Sequence, residues 1–89
     1  MTETEAMTDT KTRIARVYVN LKEGTLDPQG ETIQKALRTM GYSKALSVRC
    51  GKVYEIEMED DSPESRKQLE KICQRALANP VIEKFEIKW

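Results

Sequence analysis

The sequence predicts a small α+β domain with the element order β-α-β-β-α-β, and three observations support this. Four segments alternate apolar and polar residues, as strands with one buried face do. Two other segments repeat apolar residues every three or four positions, as amphipathic helices do. The 89 residues, 38% of them hydrophobic, are enough for one small core.

The first strand and the first helix have the clearest signals. From Arg13 to Lys22 the apolar residues fall on alternate positions, so one face of this strand is expected to be buried. Asp27 then offers a side-chain oxygen as helix N-cap, and Pro28 stands where a helix tolerates proline best. Apolar residues follow at helical spacing up to Gly41, which can adopt the left-handed conformation that ends a helix.

The next two strands are predicted to form a hairpin. Leu46, Val48 and Cys50 alternate with polar residues, and a second alternation begins after the pair Gly51-Lys52. A two-residue loop at that pair would put the apolar residues of the two strands on opposite faces. We therefore favour a three-residue loop at this turn.

A second helix and a last strand complete the order. Ser62 and Pro63 open the helix, and Pro80 ends it because the residue before a proline is disfavoured in the helical conformation. From Val81 to Trp89 the chain alternates again. Two helices can cover only one face of four strands, which predicts a two-layer sandwich of ferredoxin-like character, an antiparallel four-stranded sheet with both helices on one face.

The N-terminus is predicted to lie outside this domain. Residues 1–12 are rich in Thr and Glu, which indicates a disordered tail and leaves residues 13–89 as the single domain. The tail has the features of neither a signal peptide nor a transit peptide. No segment approaches the roughly 18 apolar residues that span a bilayer. We therefore expect a cytoplasmic protein that binds no membrane.

The composition excludes several classes of function. The chain has no His, and its 15 basic and 15 acidic residues give a formal net charge of zero. Without an imidazole it cannot form a Ser-His-Asp triad, and Cys50 and Cys73 alone are too few ligands for a structural zinc. The zero net charge argues against a nucleic-acid partner. We expect no catalytic, cofactor-binding or metal-binding residues in this chain.

Two local patterns have a functional interpretation beside an ordinary one. The carboxylates within residues 55–61 could bind Mg²⁺, but a solvated sheet face is the favoured interpretation of such a run. The segment from Arg49 to Tyr54 faintly resembles a strand motif of RNA-recognition domains. Those domains stack bases on two or three aromatic rings, and only Tyr18 is well placed here, so an ordinary hairpin is favoured.

Motifs spread along the chain give a more specific indication. The two longest motifs are Leu26-Asp27-Pro28-Gln29-Gly30 and Asn79-Pro80-Val81-Ile82-Glu83. Shorter motifs are Val17-Tyr18-Val19, Gly41-Tyr42, Arg49 and Gly51-Lys52. With these motifs at these separations, the sequence from Arg13 to Trp89 closely resembles the PurS subunit of phosphoribosylformylglycinamidine (FGAM) synthase.

This resemblance implies a non-catalytic small subunit of a ligase complex in de novo purine biosynthesis. In such a complex a glutaminase subunit (PurQ) releases ammonia and an ATP-dependent synthetase subunit (PurL) consumes it. The small subunit bridges the two and assists ammonia transfer between them. The complex uses ATP, Mg and glutamine, and the resemblance implies that the small subunit binds none of these cofactors itself.

The predicted contact residues lie in turns, because turns carry contact residues more often than core faces do. They are Asp27, Pro28, Gln29, Gly30, Arg49, Gly51, Lys52, Asn79, Pro80 and Glu83. Because so short a chain buries only a small core, we also expect self-association, as a dimer or a dimer of dimers. The alternative function is an ACT-like regulatory domain, which would bind a small molecule near residues 23–29.

Overall fold

The computed structural model describes residues 12–89. In chain order its elements are β1 (Arg13–Leu21), α1 (Pro28–Thr39), β2 (Gly51–Met58), α2 (Pro63–Ile72), a π-helical turn (Cys73–Leu77) and β3 (Glu83–Lys88). The predicted α+β class is confirmed. Apart from residue 12, the predicted tail lies outside the described residues. Within them, no helix is long and apolar enough to cross a membrane.

The strands form one antiparallel sheet with β1 in the centre, in the order β2-β1-β3. Val17 of β1 lies opposite both Tyr54 of β2 and Ile87 of β3. Residues directly opposite each other point to the same face of a sheet. The odd-numbered residues of β1 and β3 therefore share one face with the even-numbered residues of β2, and this face carries the apolar side chains.

The core lies between this apolar face and α2. Leu69 of α2 and Cys73 of the π-helical turn are fully buried against Ala15 and Val17 of β1. Partly buried side chains surround them, namely Tyr54, Ile56, Ile72, Leu77, Ala78, Phe85, Ile87 and Trp89. Burial raises the pKa of the Cys73 thiol, and the nearby charge of Glu70 raises it further. Cys73 therefore behaves as a small apolar core residue.

The opposite face of the sheet is mostly polar, although Ile14 and Val53 on it are more than half exposed. Arg16 and Glu55, which lie opposite each other, form an ion pair at 3.0 Å between Nε and Oε2. The ammonium group of Lys88 lies 5.5 Å from the centre of the Tyr18 ring. Among the described residues no group of three or more side chains is placed to hold a metal ion. Arg16, Glu55 and Glu57 on this face are exposed to solvent.

The predicted hairpin at Gly51 is replaced by one continuous extended segment. Residues 45–50, which we call the arm, contain no strand and no turn, and β2 follows directly from Gly51. The described residues therefore have three strands, not the four predicted. Apart from Ala45 and the exposed Val53, the apolar residues of the arm and of β2 have even numbers, so a straight chain keeps them on one face without any loop.

Helix α1 lies beside the arm and away from the core. Its Gln34 donates a hydrogen bond from Nε2 to the Leu46 carbonyl at 2.9 Å, while Ile33 and the following Met40 are 38% and 62% exposed. The radius of gyration is 17.3 Å, against about 12 Å for a compact domain of this length. Of the two helices among residues 12–89 only α2 covers the sheet, so this part of the chain does not form the predicted layer of two helices.

We predict that Leu69→Ala lowers the free energy of unfolding by about 2 to 5 kcal/mol, because it leaves a cavity at a fully buried position. Urea unfolding followed by circular dichroism measures the change. Gln68→Ala, at an exposed position of the same helix, is the control and should change stability by less than about 0.5 kcal/mol. Equal effects of the two substitutions would contradict the position of the core.

Candidate interaction surface

Three connecting segments meet at one end of the sheet, where β1 ends and its antiparallel neighbours β2 and β3 begin. Lys22 joins two of them, since its backbone N–H donates to the Ile82 carbonyl at 2.8 Å. Its side-chain ammonium donates to the Pro80 carbonyl at 2.7 Å. We call this end of the sheet the turn surface; it comprises residues 22–30, 49–52 and 79–83.

Asp27 ties the first helix to the end of the arm, directly before β2. One of its carboxylate oxygens accepts a hydrogen bond from the Gly30 N–H at 2.8 Å, as a helix N-cap does. The other accepts from the Cys50 N–H at 2.7 Å, and the residue is only 6% exposed. The Cys50 N–H and then the Gly30 N–H lower the pKa of Asp27, with a smaller effect of the Arg49 charge; burial opposes the shift.

Arg49 closes the loop that precedes α1. Its guanidinium donates hydrogen bonds to the Thr25 carbonyl at 3.1 Å and to the Lys22 carbonyl at 3.3 Å. The planar donor fork of arginine suits two acceptors from one short loop. Arg49 therefore stabilises the loop of the turn surface that precedes α1. The sequence predicted it only as a residue that contacts another subunit.

Gly30 permits a close approach of α1 to the arm. A Cβ atom at this position would collide with the backbone carbonyl oxygen of Val48 and crowd the Asp27 carboxylate. Glycine in a helix costs about 1 kcal/mol relative to alanine. Here the absence of a Cβ atom permits the contact between helix and arm. Any other residue would collide, because a backbone carbonyl cannot move aside as a flexible side chain can.

The exit from α2 is folded by its own polar side chains. The Asn79 side-chain oxygen accepts from the Val81 N–H at 3.0 Å. The Glu83 carboxylate accepts from the Asn79 N–H at 2.7 Å, and the Glu83 N–H donates to the Asn79 carbonyl at 2.7 Å. These bonds fix the turn and leave the ring of Pro80 exposed on its outside.

The structure brings the three groups of predicted contact residues to this one surface. Some of them build the surface, namely Asp27, Gly30, Arg49, Asn79 and Glu83. The others are exposed on it, namely Pro28, Gln29, Gly51, Lys52 and Pro80. An open cleft of about 180 Å³ between α1 and the strands is lined by Gln29, Lys52 and Glu83, among others.

Exposed apolar side chains at this end were missed as candidate residues. Leu26 and Val81 are each 78% exposed, and Ile82 is 39% exposed. Large apolar side chains grouped on a surface and surrounded by polar residues are typical of protein contacts. Each of the two longest motifs that carry the family resemblance contains such an apolar residue, so the sequence already indicated these positions.

The chain matches the family model PurS, Phosphoribosylformylglycinamidine (FGAM) synthase, over residues 14–89. It belongs to the PurS family. The PurS subunit of Archaeoglobus fulgidus is 44% identical over 77 residues, which cover 85% of this chain and 96% of that protein. The Bacillus subtilis PurS subunit is 41% identical over 70 residues, 79% of this chain and 83% of that protein.

Solved PurS structures share this fold. Bacillus subtilis PurS aligns with a TM-score of 0.78 at 39% identity and covers 84% of this chain and 94% of its own. A PurLQS structure from Thermotoga maritima contains a chain that aligns with a TM-score of 0.77 at 29% identity, covering 86% of this chain and 95% of its own. Membership of this family leaves the ACT-like alternative without support.

We predict that the stabilising effect of the Asp27 carboxylate disappears in acid. A folded-state pKa below the ordinary value of 3.8 means that the effect is present above that value and is lost as the pH falls through the folded-state pKa. Asp27→Asn should therefore lower the urea midpoint clearly at pH 6 and progressively less below about pH 4. Glu31→Gln, exposed on the same helix, is the control, and a pH-independent effect of Asp27→Asn would contradict the assignment.

We also predict that Gly30→Ala destabilises the protein, although alanine is the better helix former by about 1 kcal/mol. The added methyl group must push α1 away from the Val48 carbonyl. Hydrogen exchange of the Cys50 amide should then be faster, because that amide is bonded to the Asp27 carboxylate at the start of the same helix. Lys35→Ala, exposed on α1, should leave this exchange rate unchanged; stabilisation by Gly30→Ala would disprove the close approach.

Proposed function

We propose that this chain is the small, non-catalytic subunit of an FGAM synthase complex in purine biosynthesis, bridging its glutaminase and synthetase subunits. The observation that carries the proposal is membership of the PurS family over residues 14–89. The chain covers 96% of the length of its Archaeoglobus fulgidus relative, so the likeness extends over nearly the whole of that subunit. The ligase reaction would belong to the complex.

The partners follow from the Thermotoga maritima structure. Its name, PurLQS, combines the PurS subunit with PurL and PurQ, and we propose that this chain binds subunits of the same two kinds. The turn surface is suited to such contacts, because Leu26 and Val81 are exposed beside polar residues. The whole chain contains no His, which fits a role in binding rather than in proton transfer.

A bridging subunit has a physical task in this reaction. Free ammonia is the nucleophile that passes from glutamine to the nucleotide substrate, and bulk water would protonate or dilute it. Holding the two active sites in register keeps ammonia close to its acceptor. In this proposal the complex uses ATP, Mg and glutamine at sites on the other subunits, and the whole assembly is cytoplasmic.

Self-association is the second part of the proposal. Helix α1 exposes Ile33, and Met40 and Tyr42 directly after it are 62% and 61% exposed. A second copy would cover these side chains and supply the missing part of the two-layer sandwich. The chain would then be a dimer, or a dimer of dimers, both alone and within the complex.

The test is reconstitution with PurL and PurQ. Omission of this chain should abolish glutamine-dependent amidine synthesis, while synthesis from added ammonium salt persists, because the synthetase site itself remains. Gln29→Arg, on the turn surface, should reduce the glutamine-dependent rate by roughly tenfold, as loss of one strong contact would.

The matched control is Gln68→Arg, which makes the same change at an exposed position of α2 and should have no effect. Full glutamine-dependent activity without this chain would refute the bridging role. Equal effects of the two arginine substitutions would refute the turn surface as the contact.

A further inference from the structure

Strand β3 has one edge that pairs with β1 and one that pairs with no strand among residues 12–89. Just before β3 the Ile82 carbonyl accepts from the Lys22 N–H, so even-numbered residues here direct their backbone groups towards β1. The Glu83 N–H points the other way and donates to the Asn79 carbonyl at 2.7 Å. The outer edge is therefore occupied at its start by the turn that follows α2.

Beyond this turn the edge is open. Phe85 and Ile87, the next odd-numbered residues, direct their N–H and C=O groups outward by the alternation of a strand. Their side chains pack against the core. Such an edge is a template for a strand from another chain, and strand addition is one of the ways in which a folded domain binds an extended segment.

A cleft of about 530 Å³ lies beside the start of this edge, between β3 and the π-helical turn. Ala78 and Phe85 form its apolar part, and both also pack against the core. Phe85 is only half-buried in the single chain. An apolar side chain inserted from outside would cover its ring, as the anchors of protein interfaces do.

The charges around the cleft favour an acidic occupant. Lys22 and Lys84 line it, and Lys84 forms no ion pair with another residue of the described part of the chain. Glu83 lines it as well, but its carboxylate already accepts a hydrogen bond from the Asn79 N–H. Lysines on an edge strand discourage unspecific pairing, so a segment that carries carboxylates is accepted selectively.

The cleft is continuous with the turn surface, because Lys22, Pro80 and Glu83 belong to both. A segment that contacts the turn surface at Pro80 can therefore continue along the outer edge of β3. This continuity favours one occupant for both surfaces.

We propose that the outer edge of β3 accepts an acidic, extended segment of the subunit that binds the turn surface, as one further strand of the sheet. An apolar residue of that segment would enter the cleft beside Phe85 and Ala78, and a carboxylate would meet Lys84. The inference rests on the proposed function and specifies one of its contacts.

Hydrogen exchange of the backbone amides, read residue by residue, tests the pairing. In the isolated chain the amides of Phe85 and Ile87 should exchange fast, because they face outward. In the reconstituted complex with PurL and PurQ their exchange should slow by roughly tenfold or more, as new backbone hydrogen bonds require. The Glu86 amide, which faces β1, is the control and should be slow in both states.

The outcomes separate this inference from the proposed function. A complex that forms while both amides stay fast overturns the inference and leaves the bridging role intact. Slow exchange in the isolated chain that becomes fast on dilution also overturns it, because a second copy would then occupy the edge. Absence of any complex refutes the proposed function and this inference with it.

The shared occupant has its own test. At fixed concentrations of PurL and PurQ, Gln29→Arg on the turn surface should reduce the protection of the Phe85 and Ile87 amides, because one subunit makes both contacts. Unchanged protection overturns the shared occupant.

A charge reversal tests the chemistry of the segment. Lys84→Glu should raise roughly tenfold the concentration of this chain at which glutamine-dependent activity is half-maximal, because it opposes the carboxylates of the segment. Lys67→Glu makes the same change at an exposed position of α2 and should leave that concentration unchanged. Equal effects of the two reversals overturn the acidic occupant.

Discussion

The Asp27 carboxylate links helix α1 to the chain segment that leads into the sheet. One oxygen caps α1 through the Gly30 N–H, and the other fixes the start of β2 through the Cys50 N–H. Hydrogen bonds from backbone N–H groups to a charged carboxylate are stronger than hydrogen bonds between neutral groups. Because α1 has so little contact with the core, its direction relative to the sheet depends on this carboxylate and on the close approach that Gly30 permits.

This constraint explains why α2 closes a core against the sheet while α1 does not cover the sheet beside it. Leu69 and Cys73 close one core against β1, while α1 and the arm extend beyond the end of β1. Several large apolar side chains on or beside this extension, among them Ile33, Met40 and Leu46, are exposed in the single chain. A chain of 89 residues buries proportionally little surface, so covering the extension with another chain adds stability that its own core cannot supply.

The same arrangement suits a subunit that organises chemistry performed elsewhere. The connecting segments at the end of the sheet are fixed by backbone hydrogen bonds, such as those from Lys22 to Ile82 and from Glu83 to Asn79. A rigid set of turns presents contact residues with little ordering cost on binding. In the proposed assembly this end of the sheet would meet the other subunits.

The sequence by itself determined the first strand, both helix starts, the exit at Pro80, the two families of face residues and the PurS resemblance. These are local properties: periodicity, capping side chains and proline geometry act within a few residues. Only the tertiary structure decided that the arm runs directly into β2 without a hairpin turn. It also decided that Arg49 closes the loop before α1. The acceptors of Arg49 are backbone carbonyls, which every residue carries, so no pattern in the sequence can mark them.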